Sequence, residues 1–175
     1  MHLLVAPDIV IRDMTLADAP DLARHADDPG IAAMLRDRFP SPYRLEDAVG
    51  FINDACRGPG EYAFTLEIGG LAAGVIGFCP GVDVYRHSAE IGYWLGRAFW
   101  GRGFMTRVVK AFVEWLKAEH DFVRLFAGTF SSNPASGRVL EKCGFTREAV
   151  LEKHIHKNGE WLDEHVYALL LDPDP

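Results

Sequence analysis

The chain has 175 residues, of which 49% are hydrophobic and 25% charged, and its formal net charge is −7. This length and balance predict one globular domain, residues 1–175, that buries a substantial core. The acidic charge argues against a general nucleic-acid binder, which needs a basic surface. The N-terminus lacks the pattern of a signal peptide, and no stretch approaches about 18 consecutive apolar residues, so we expect a cytoplasmic protein with no membrane partner.

The cysteines indicate a reducing compartment. Cys56, Cys79 and Cys143 are an odd number, are scattered, and form no Cys-x-x-Cys pair. We therefore expect no structural disulfide. Cys143 ends a predicted helix, where the helix dipole raises the pKa of a thiol, so we do not expect a nucleophilic cysteine.

The first half of the chain is predicted to mix short helices with antiparallel strands. The elements are, in chain order, a strand at 8–12, a helix at 16–26, a helical turn at 31–35, an ordered loop at 36–43, a helix at 45–56, and strands at 62–68 and 71–78. Pro20 is compatible with the first helix only in its first turn. The Gly69-Gly70 pair between the last two strands is typical of a two-residue hairpin.

The second half is predicted to continue the same pattern. Its elements are a strand at 89–95, a glycine loop at 100–103, a helix from 104, a strand at 123–130, a helix at 133–142, and strands at 145–157 and 160–171. Asn158-Gly159 is the strongest hairpin signal in the chain. A two-residue turn there sets Lys157 opposite Glu160 and Ile155 opposite Leu162. The whole order predicts an α+β domain with a mixed sheet.

The strand, glycine loop and helix at 89–120 are the centre of this pattern. Two glycines, Gly101 and Gly103, let the backbone turn tightly and come close to a ligand. The unpaired N–H groups at the start of the following helix attract an anion. That helix is amphipathic, with Met105, Val108, Val109, Phe112, Trp115 and Leu116 on the apolar face. The loop is therefore predicted to hold the phosphates of a cofactor.

Three segments, in this order and spacing, carry a family resemblance. They are Glu90-Ile-Gly-Tyr-Trp-Leu, Phe99-Trp-Gly-Arg-Gly-Phe-Met-Thr, and Asn133-Pro-Ala-Ser followed by Glu141-Lys-Cys-Gly-Phe. On these residues and the terminal hairpin, the chain resembles the GNAT superfamily of acetyl-CoA-dependent N-acyltransferases, and most of all its RimJ/RimL-like branch. The resemblance implies a three-layer domain with a mostly antiparallel central sheet, splayed central strands and flanking helices. It also implies that acetyl-CoA is a co-substrate and that a primary amine attacks it directly in a ternary complex.

The resemblance further implies how acetyl-CoA is held. Backbone amides from Arg102 to Thr106 would bind the pyrophosphate, and the backbone near Leu95 would pair with pantetheine in a gap between the strands at 89–95 and 123–130. The residues expected to contact the cofactor are Tyr93, Trp94, Leu95, Trp100, Gly101, Arg102, Gly103, Phe104, Met105, Thr106, Asn133 and Ser136. Met105 is bulkier than the glycine or alanine of the family pattern. It either packs under the loop or weakens the close phosphate approach.

Amide formation needs a neutral amine, a polarised thioester carbonyl and an acid for the leaving thiolate. Glu90 is the candidate for removing the ammonium proton, directly or through water. The alternative is a strand carboxylate that only orients the substrate or pairs with a cation. A backbone N–H near Tyr93 to Leu95 is the candidate for polarising the carbonyl, and Gly92 either marks a bulge that frees it or only makes room for a neighbour.

The predicted helix at 133–142 supplies the candidate acid. Leu140 stands where many members of the family have a tyrosine acid, so the resemblance moves that role to Ser136. The alternative is a hydroxyl that bonds to its own helix backbone. Asn133 either hydrogen-bonds pantetheine or substrate, or is only the helix N-cap.

The acceptor is a small-molecule amine or a protein N-terminus, and the acidic charge mildly favours a cationic small acceptor. Phe39, Tyr43 and Trp94 either line the acceptor pocket or belong to the core. His154 and His156, predicted on one face of a strand with His165 on its partner, resemble a metal site, but no carboxylate or cysteine of fitting spacing completes it. We expect no metal. The oligomeric state, monomer or homodimer, is left open.

Two other functions compete with catalysis. A nucleotide-phosphate binder of another class would suit the strand, loop and helix, but the chain has no Gly-Lys-Ser/Thr and no third glycine. A catalytically silent acyl-CoA-binding module would share every cofactor contact with the enzyme.

Overall fold

A computed structural model describes residues 1–55 and 60–171. The elements are β1 (His2–Ala6), β2 (Ile9–Arg12), α1 (Ala19–Ala26), α2 (Pro29–Ala32), α3 (Leu45–Ala55), β3 (Tyr62–Ile68), β4 (Leu71–Pro80), β5 (Ser88–Leu95), α4 (Phe104–Glu119), β6 (Arg124–Phe130), α5 (Pro134–Lys142), β7 (Thr146–Lys157) and β8 (Glu160–Leu170). The predicted end of the third helix at Cys56 lies outside the described residues.

The strands follow the order β1-β2-β3-β4-β5-β6-β8-β7 in one sheet. β5 and β6 run parallel, whereas β1–β2, β2–β3, β3–β4, β6–β8 and β7–β8 are antiparallel pairs. The predicted α+β class with a mixed sheet is confirmed. The chain divides into two compact units, residues 1–78 with 92–104 and residues 79–91 with 105–171 of the described chain.

The first unit has a hydrophobic cluster beneath α1 and α3. Leu22 and Ala26 of α1 pack with Ala48 and Ile52 of α3, and Val75 of β4 closes the cluster from the sheet. These residues recur at the three- and four-residue spacing of an amphipathic helix, which is why their burial stabilises both helices against the sheet.

Asp18 is a buried carboxylate of the first unit that sequence analysis missed. Both its oxygens accept hydrogen bonds from the Arg12 guanidinium, at 2.9 and 2.7 Å, and Oδ2 also accepts from the Thr15 N–H and the Thr65 hydroxyl. Burial raises the pKa of Asp18, but these hydrogen bonds outweigh it and the pKa is lowered. The network joins β2 and β3 to the chain entering α1.

In the second unit, α4 buries the predicted apolar face. Val108, Val109, Phe112 and Leu116 are fully buried, and the polar residues Arg107, Lys110, Glu114 and Lys117 are exposed. Along the strands, successive residues alternate between a buried and a more exposed face. Leu125, Ala127 and Thr129 of β6 face the buried side, whereas Gly128 between them is exposed.

The N-terminal region differs from the prediction in two places. The sequence analysis missed β1, in which Leu3 pairs with Ile11, because the strand is short and directly adjoins β2. The predicted turn at 31–35 begins earlier, at Pro29. Asp28 accepts a hydrogen bond from the Gly30 N–H at 2.7 Å, and proline fits the first helical position, so Asp28 and Pro29 start α2.

Both predicted hairpins are confirmed. Gly69 and Gly70 have φ of 60° and 80°, and Asn158 and Gly159 have φ of 52° and 84°. Two consecutive positive φ angles are those of a type I′ turn. The terminal hairpin has the predicted register, with Lys157 opposite Glu160 and Ile155 opposite Leu162.

Among the helices of the described ranges, none has the length and apolar character that crossing a membrane requires.

Candidate functional site

The glycine loop before α4 has the backbone conformation that its sequence predicts. Gly101 and Gly103 both have φ of 72°. A Cβ built on either would meet no other atom within 4 Å in the described structure. The chain enters α4 at Phe104, directly after Gly103. The loop therefore needs glycine for its backbone angles, and it directly precedes the start of a sixteen-residue helix, where the first N–H groups have no partner within the helix.

Trp100 connects this loop to the end of β5. Its indole Nε1–H donates to the Leu95 carbonyl at 2.6 Å, and the Arg97 guanidinium lies 4.9 Å from the indole ring. Arg97 in turn donates two hydrogen bonds to Asp28, at 2.5 and 2.7 Å, and this lowers the pKa of Asp28 to about 2. Sequence analysis found Trp100 but missed the Asp28–Arg97 pair, because 69 residues separate its members.

The three residues predicted to contact the acceptor come together in the first unit. Phe39 lies 4.8 Å from Tyr43 and 5.8 Å from Trp94 between ring centroids. Tyr43 belongs to the buried cluster beneath α1 and α3, and burial raises its pKa to about 12. Phe39 and Trp94 are only partly buried. Tyr43 is thus a core residue, whereas the other two are accessible enough to line a pocket.

Glu90 lies on the less buried face of β5. It alternates with the buried residues Ala89 and Ile91, and it pairs with Phe126 of β6 in the parallel register. Gly92, two residues along, is exposed, and a Cβ there would meet nothing within 4 Å in the described structure. The reading in which Gly92 only makes room for a neighbouring side chain is therefore wrong. The predicted bulge at Gly92 stays a prediction.

The first turn of α5 carries Asn133 and Ser136. Asn133 is the N-cap, since its Oδ1 accepts a hydrogen bond from the Ser136 N–H at 3.2 Å. The N-cap role of Asn133 is therefore confirmed. The cap uses only the Oδ1 atom, so the Nδ2 group of the same side chain can still donate to pantetheine or substrate. Ser136 is half-buried, and Leu140, one turn later, is fully buried. Leu140 is a core residue, as its apolar side chain requires.

Tyr167 of β8 packs against this helix. The residue is only 4% exposed, and a Cβ built on Gly137 would lie 2.5 Å from the Tyr167 hydroxyl oxygen. The hydroxyl hydrogen-bonds Glu141, one turn after Gly137, and burial together with the Glu141 charge raises the pKa of Tyr167. Glycine at 137 therefore allows β8 to contact α5 next to Ser136, a contact for which the sequence has no signal.

Met105 and Cys143 are structural in their surroundings. Met105 is buried, at 8% exposure. The Cys143 thiol donates a weak hydrogen bond to the Thr106 carbonyl at 3.5 Å. Burial raises the pKa of Cys143, which agrees with the predicted direction but has desolvation as its main cause.

The hairpin histidines do not share one face. His154 Nδ1 lies 2.6 Å from Glu164 Oε2, whereas the His156 ring packs on Trp161 at 4.7 Å. Glu164 and Trp161 are three residues apart and lie on opposite faces of β8. Across residues 1–55 and 60–171, no three His, Cys, Asp or Glu side chains are grouped closely enough to hold a metal ion.

The family comparison now decides among the candidate classes. The family model of the acetyltransferase (GNAT) domain matches residues 8–146, which is more than half of the chain. The chain belongs to the GNAT family. This membership favours the acetyltransferase interpretation of the glycine loop over a nucleotide-phosphate binder of another class.

Individual relatives agree with this GNAT assignment. The chain is 41% identical over 87 residues to probable N-acetyltransferase YjcK of Bacillus subtilis, a match covering 50% of this chain and 48% of that one. It is 29% identical over 101 residues to [ribosomal protein uS5]-alanine N-acetyltransferase of Escherichia coli, covering 58% of this chain and 52% of that one. Each match spans about half the length of its relative.

A solved structure shows the same fold over the full chain. RimL, a ribosomal L7/L12 alpha-N-protein acetyltransferase in complex with coenzyme A, superposes with a TM-score of 0.88 at 22% identity, covering 99% of this chain and 100% of that one. The predicted GNAT fold is thereby confirmed. The catalytic and cofactor-binding roles of individual residues remain predictions.

Proposed function

We propose that this GNAT domain, taken as one domain over residues 1–175, transfers the acetyl group of acetyl-CoA to a primary amine by direct attack. The proposal rests on the loop at Gly101 and Gly103. Both glycines have positive φ angles, and the loop leads directly into the start of α4. Backbone N–H groups at a helix start stabilise phosphate oxygens. Family membership makes acetyl-CoA the donor that this loop would bind.

The proposed cofactor contacts extend along β5 and α4. Backbone amides from Arg102 to Thr106 bind the pyrophosphate, and the backbone near Leu95 pairs with pantetheine. The indole bond from Trp100 to the Leu95 carbonyl supports this role, because it fixes the strand end that the pantetheine amide would approach. The burial of Met105 favours packing of its side chain in the protein interior over obstruction of a phosphate.

Two side chains of the second unit carry the proposed chemistry. Glu90 lies on the open face of β5, where its carboxylate takes the ammonium proton directly or through water. Ser136 lies in the first turn of α5 and donates its hydroxyl proton to the leaving thiolate. No imidazole or carboxylate side chain of the protein has to act as the nucleophile, because the amine of the acceptor itself attacks the thioester.

The acceptor is a small-molecule amine or a protein N-terminus. The similarity to a ribosomal-protein N-acetyltransferase of Escherichia coli supports the N-terminal acceptor and a cytoplasmic setting. The net charge of −7 supports a cationic small acceptor. Both acceptors present a primary amine, so the chemistry at Glu90 and Ser136 is the same for either.

The test is a coenzyme A release assay with acetyl-CoA and a panel of polyamines, amino-acid amines and peptides beginning with alanine or serine. We expect acetyl-CoA to raise the unfolding temperature and at least one class to release the thiol. Stabilisation by acetyl-CoA without release from any acceptor would instead identify a silent acyl-CoA-binding module.

Two variants test the proposed roles of Ser136 as the acid and Glu90 as the base. Ser136→Ala and Glu90→Gln are each expected to lower kcat by about 100-fold or more while changing the Kd of acetyl-CoA little, since general acid–base groups contribute to the transition state rather than to binding. Unchanged kcat in one variant would remove that residue from the mechanism.

A further inference from the structure

The terminal hairpin contains an irregularity that its turn sequence does not predict. Leu151 pairs with Glu164 and Ile155 pairs with Leu162, so four steps along β7 correspond to two along β8. Lys153, inside this bulge, has φ of 49°, and its N–H donates to the Asp163 carboxylate at 2.8 Å. A non-glycine residue at positive φ is strained, and the carboxylate compensates by satisfying its N–H.

The bulge brings His154 onto Glu164. The Nδ1 to Oε2 distance is 2.6 Å, the Glu164 side chain is 20% exposed, and the His154 side chain is 58% exposed. With the imidazole neutral and the carboxylate ionised, Nδ1–H donates to Glu164 and Nε2 keeps its lone pair. The Glu164 carboxylate is therefore the less exposed partner and the His154 imidazole the more exposed one. A carboxylate that orients a histidine base has the same arrangement.

Glu164 is directed across the sheet toward β6. A Cβ built on Gly128 would overlap Oε1 of Glu164, so the carboxylate lies directly over the Gly128 backbone. Glu90 pairs with Phe126, and Phe126 and Gly128 share a face of β6, so all three lie on one side of the sheet. From strand spacing and rise, the backbone positions of Glu90 and Gly128 are about 8 Å apart.

We propose that His154, oriented by Glu164, is a further catalytic residue that accepts the proton of the acceptor ammonium. This inference rests on the proposed acetyl transfer. Glu90 takes the ammonium proton, as proposed above, and His154 receives it from Glu90 through water along the same sheet face. Imidazole suits this step because histidine is the side chain that most often acts as a general base in enzymes.

The proton balance is simple. One N–H bond of the ammonium breaks and its electron pair stays on the amine nitrogen. A new N–H bond forms at His154 Nε2, and Glu164 stabilises the imidazolium that results. The exposed imidazole then releases the proton to solvent. The neutral amine attacks the thioester carbonyl and the C–S bond breaks. The second proton that leaves the nitrogen replaces the one that Ser136 gives to the thiolate, and no oxidant, metal or additional reactant is needed.

The charges around His154 are known from the packing of β7. Glu164 faces it from β8. Asp163 accepts a hydrogen bond from the N–H of Lys153, and Glu152 and Lys153 precede His154 on β7. β6 contributes the uncharged backbone of Gly128. α5 packs on the other side of the sheet, against Tyr167, so its charged residues Arg138, Glu141 and Lys142 face away from His154.

The test compares His154→Gln and Glu164→Gln with the wild type over the pH range, using the acceptor that the release assay identifies. Glutamine retains size and hydrogen bonding but cannot accept the proton. We expect His154→Gln to lower kcat/KM by about 100-fold near pH 7 and to approach wild type as the pH rises toward the amine pKa, because free amine no longer needs a base. Glu164→Gln should lower kcat/KM less than His154→Gln does.

His156→Gln on the same hairpin is the matched control, since its ring contacts Trp161 rather than Glu164. It should retain the wild-type profile. The Kd of acetyl-CoA and the unfolding temperature should be unchanged in all three variants. A loss in His154→Gln that is equal at every pH, or no loss at all, would overturn the role of His154 while leaving acetyl transfer intact. Absence of thiol release by the wild type would overturn both proposals.

Discussion

Two glycines, one in the loop before α4 and one within α5, serve opposite purposes. Gly103 has φ of 72° and nothing within 4 Å of a built Cβ in the described structure, so its backbone angle requires glycine while its surroundings do not. Gly137 sits inside regular α5, and there a Cβ would lie 2.5 Å from the Tyr167 hydroxyl. The glycine loop is therefore determined by local backbone conformation, whereas the position of α5 is determined by a side chain from a distant strand.

Gly103→Glu should have the largest effect, because it changes the loop that is proposed to bind acetyl-CoA. A carboxylate beside the bound phosphates costs several kcal/mol, so we expect the Kd of acetyl-CoA to rise by about 100-fold or more in calorimetry. Gly70→Glu is the matched control, because Gly70 also has positive φ, 80°, and open surroundings, but lies in the β3–β4 turn. Equal affinity loss in both variants would mean that backbone strain, rather than charge near phosphate, explains the result.

Gly137→Ala tests the other kind of glycine. The buried Tyr167 ring has little room to move, so we expect a loss of about 1–3 kcal/mol in the free energy of unfolding and a lower kcat through displacement of Ser136. Tyr167→Phe removes the atom that the new methyl group meets. In the double variant, part of the loss should be recovered, with a coupling free energy of about 0.5–3 kcal/mol in denaturant unfolding. Strict additivity of the two changes would contradict the contact.

The Asp28–Arg97 pair beside the loop should give the smallest effect, since Arg97 is exposed. The pKa of Asp28 falls from 3.8 to about 2 on folding, so its contribution is complete above about pH 4 and is lost as the pH falls toward 2. Asp28→Asn keeps a cap for α2 but removes the charge. Its free energy of unfolding should decline less than that of the wild type between pH 4 and pH 2. Identical slopes would show that the pair does not contribute.

Local signals explain what the sequence could predict. The Gly69-Gly70 and Asn158-Gly159 turns and the glycine loop each depend on residues that are neighbours in the chain, and all were found. The three segments of the family resemblance likewise identified the fold, which the family match and the RimL superposition confirm.

What the sequence could not predict depends on distant partners. The bulge at Lys153 is stabilised by a carboxylate on β8, and without it His154 and His156 were assigned to one face. The fit of Tyr167 onto Gly137 joins residues that are 30 positions apart. The short strand β1 was missed because its stabilisation comes from pairing with β2 rather than from its own pattern.

Transfer of an isotopically labelled acetyl group is the most direct test of the central claim. The protein is incubated with labelled acetyl-CoA and the acceptor panel, and both acceptor and protein are examined by mass spectrometry. The account predicts label on a primary amine nitrogen of one acceptor class and none on the protein, because the amine attacks the thioester directly. Tight binding of acetyl-CoA with no labelled acceptor, or label that passes through a protein side chain, would contradict it.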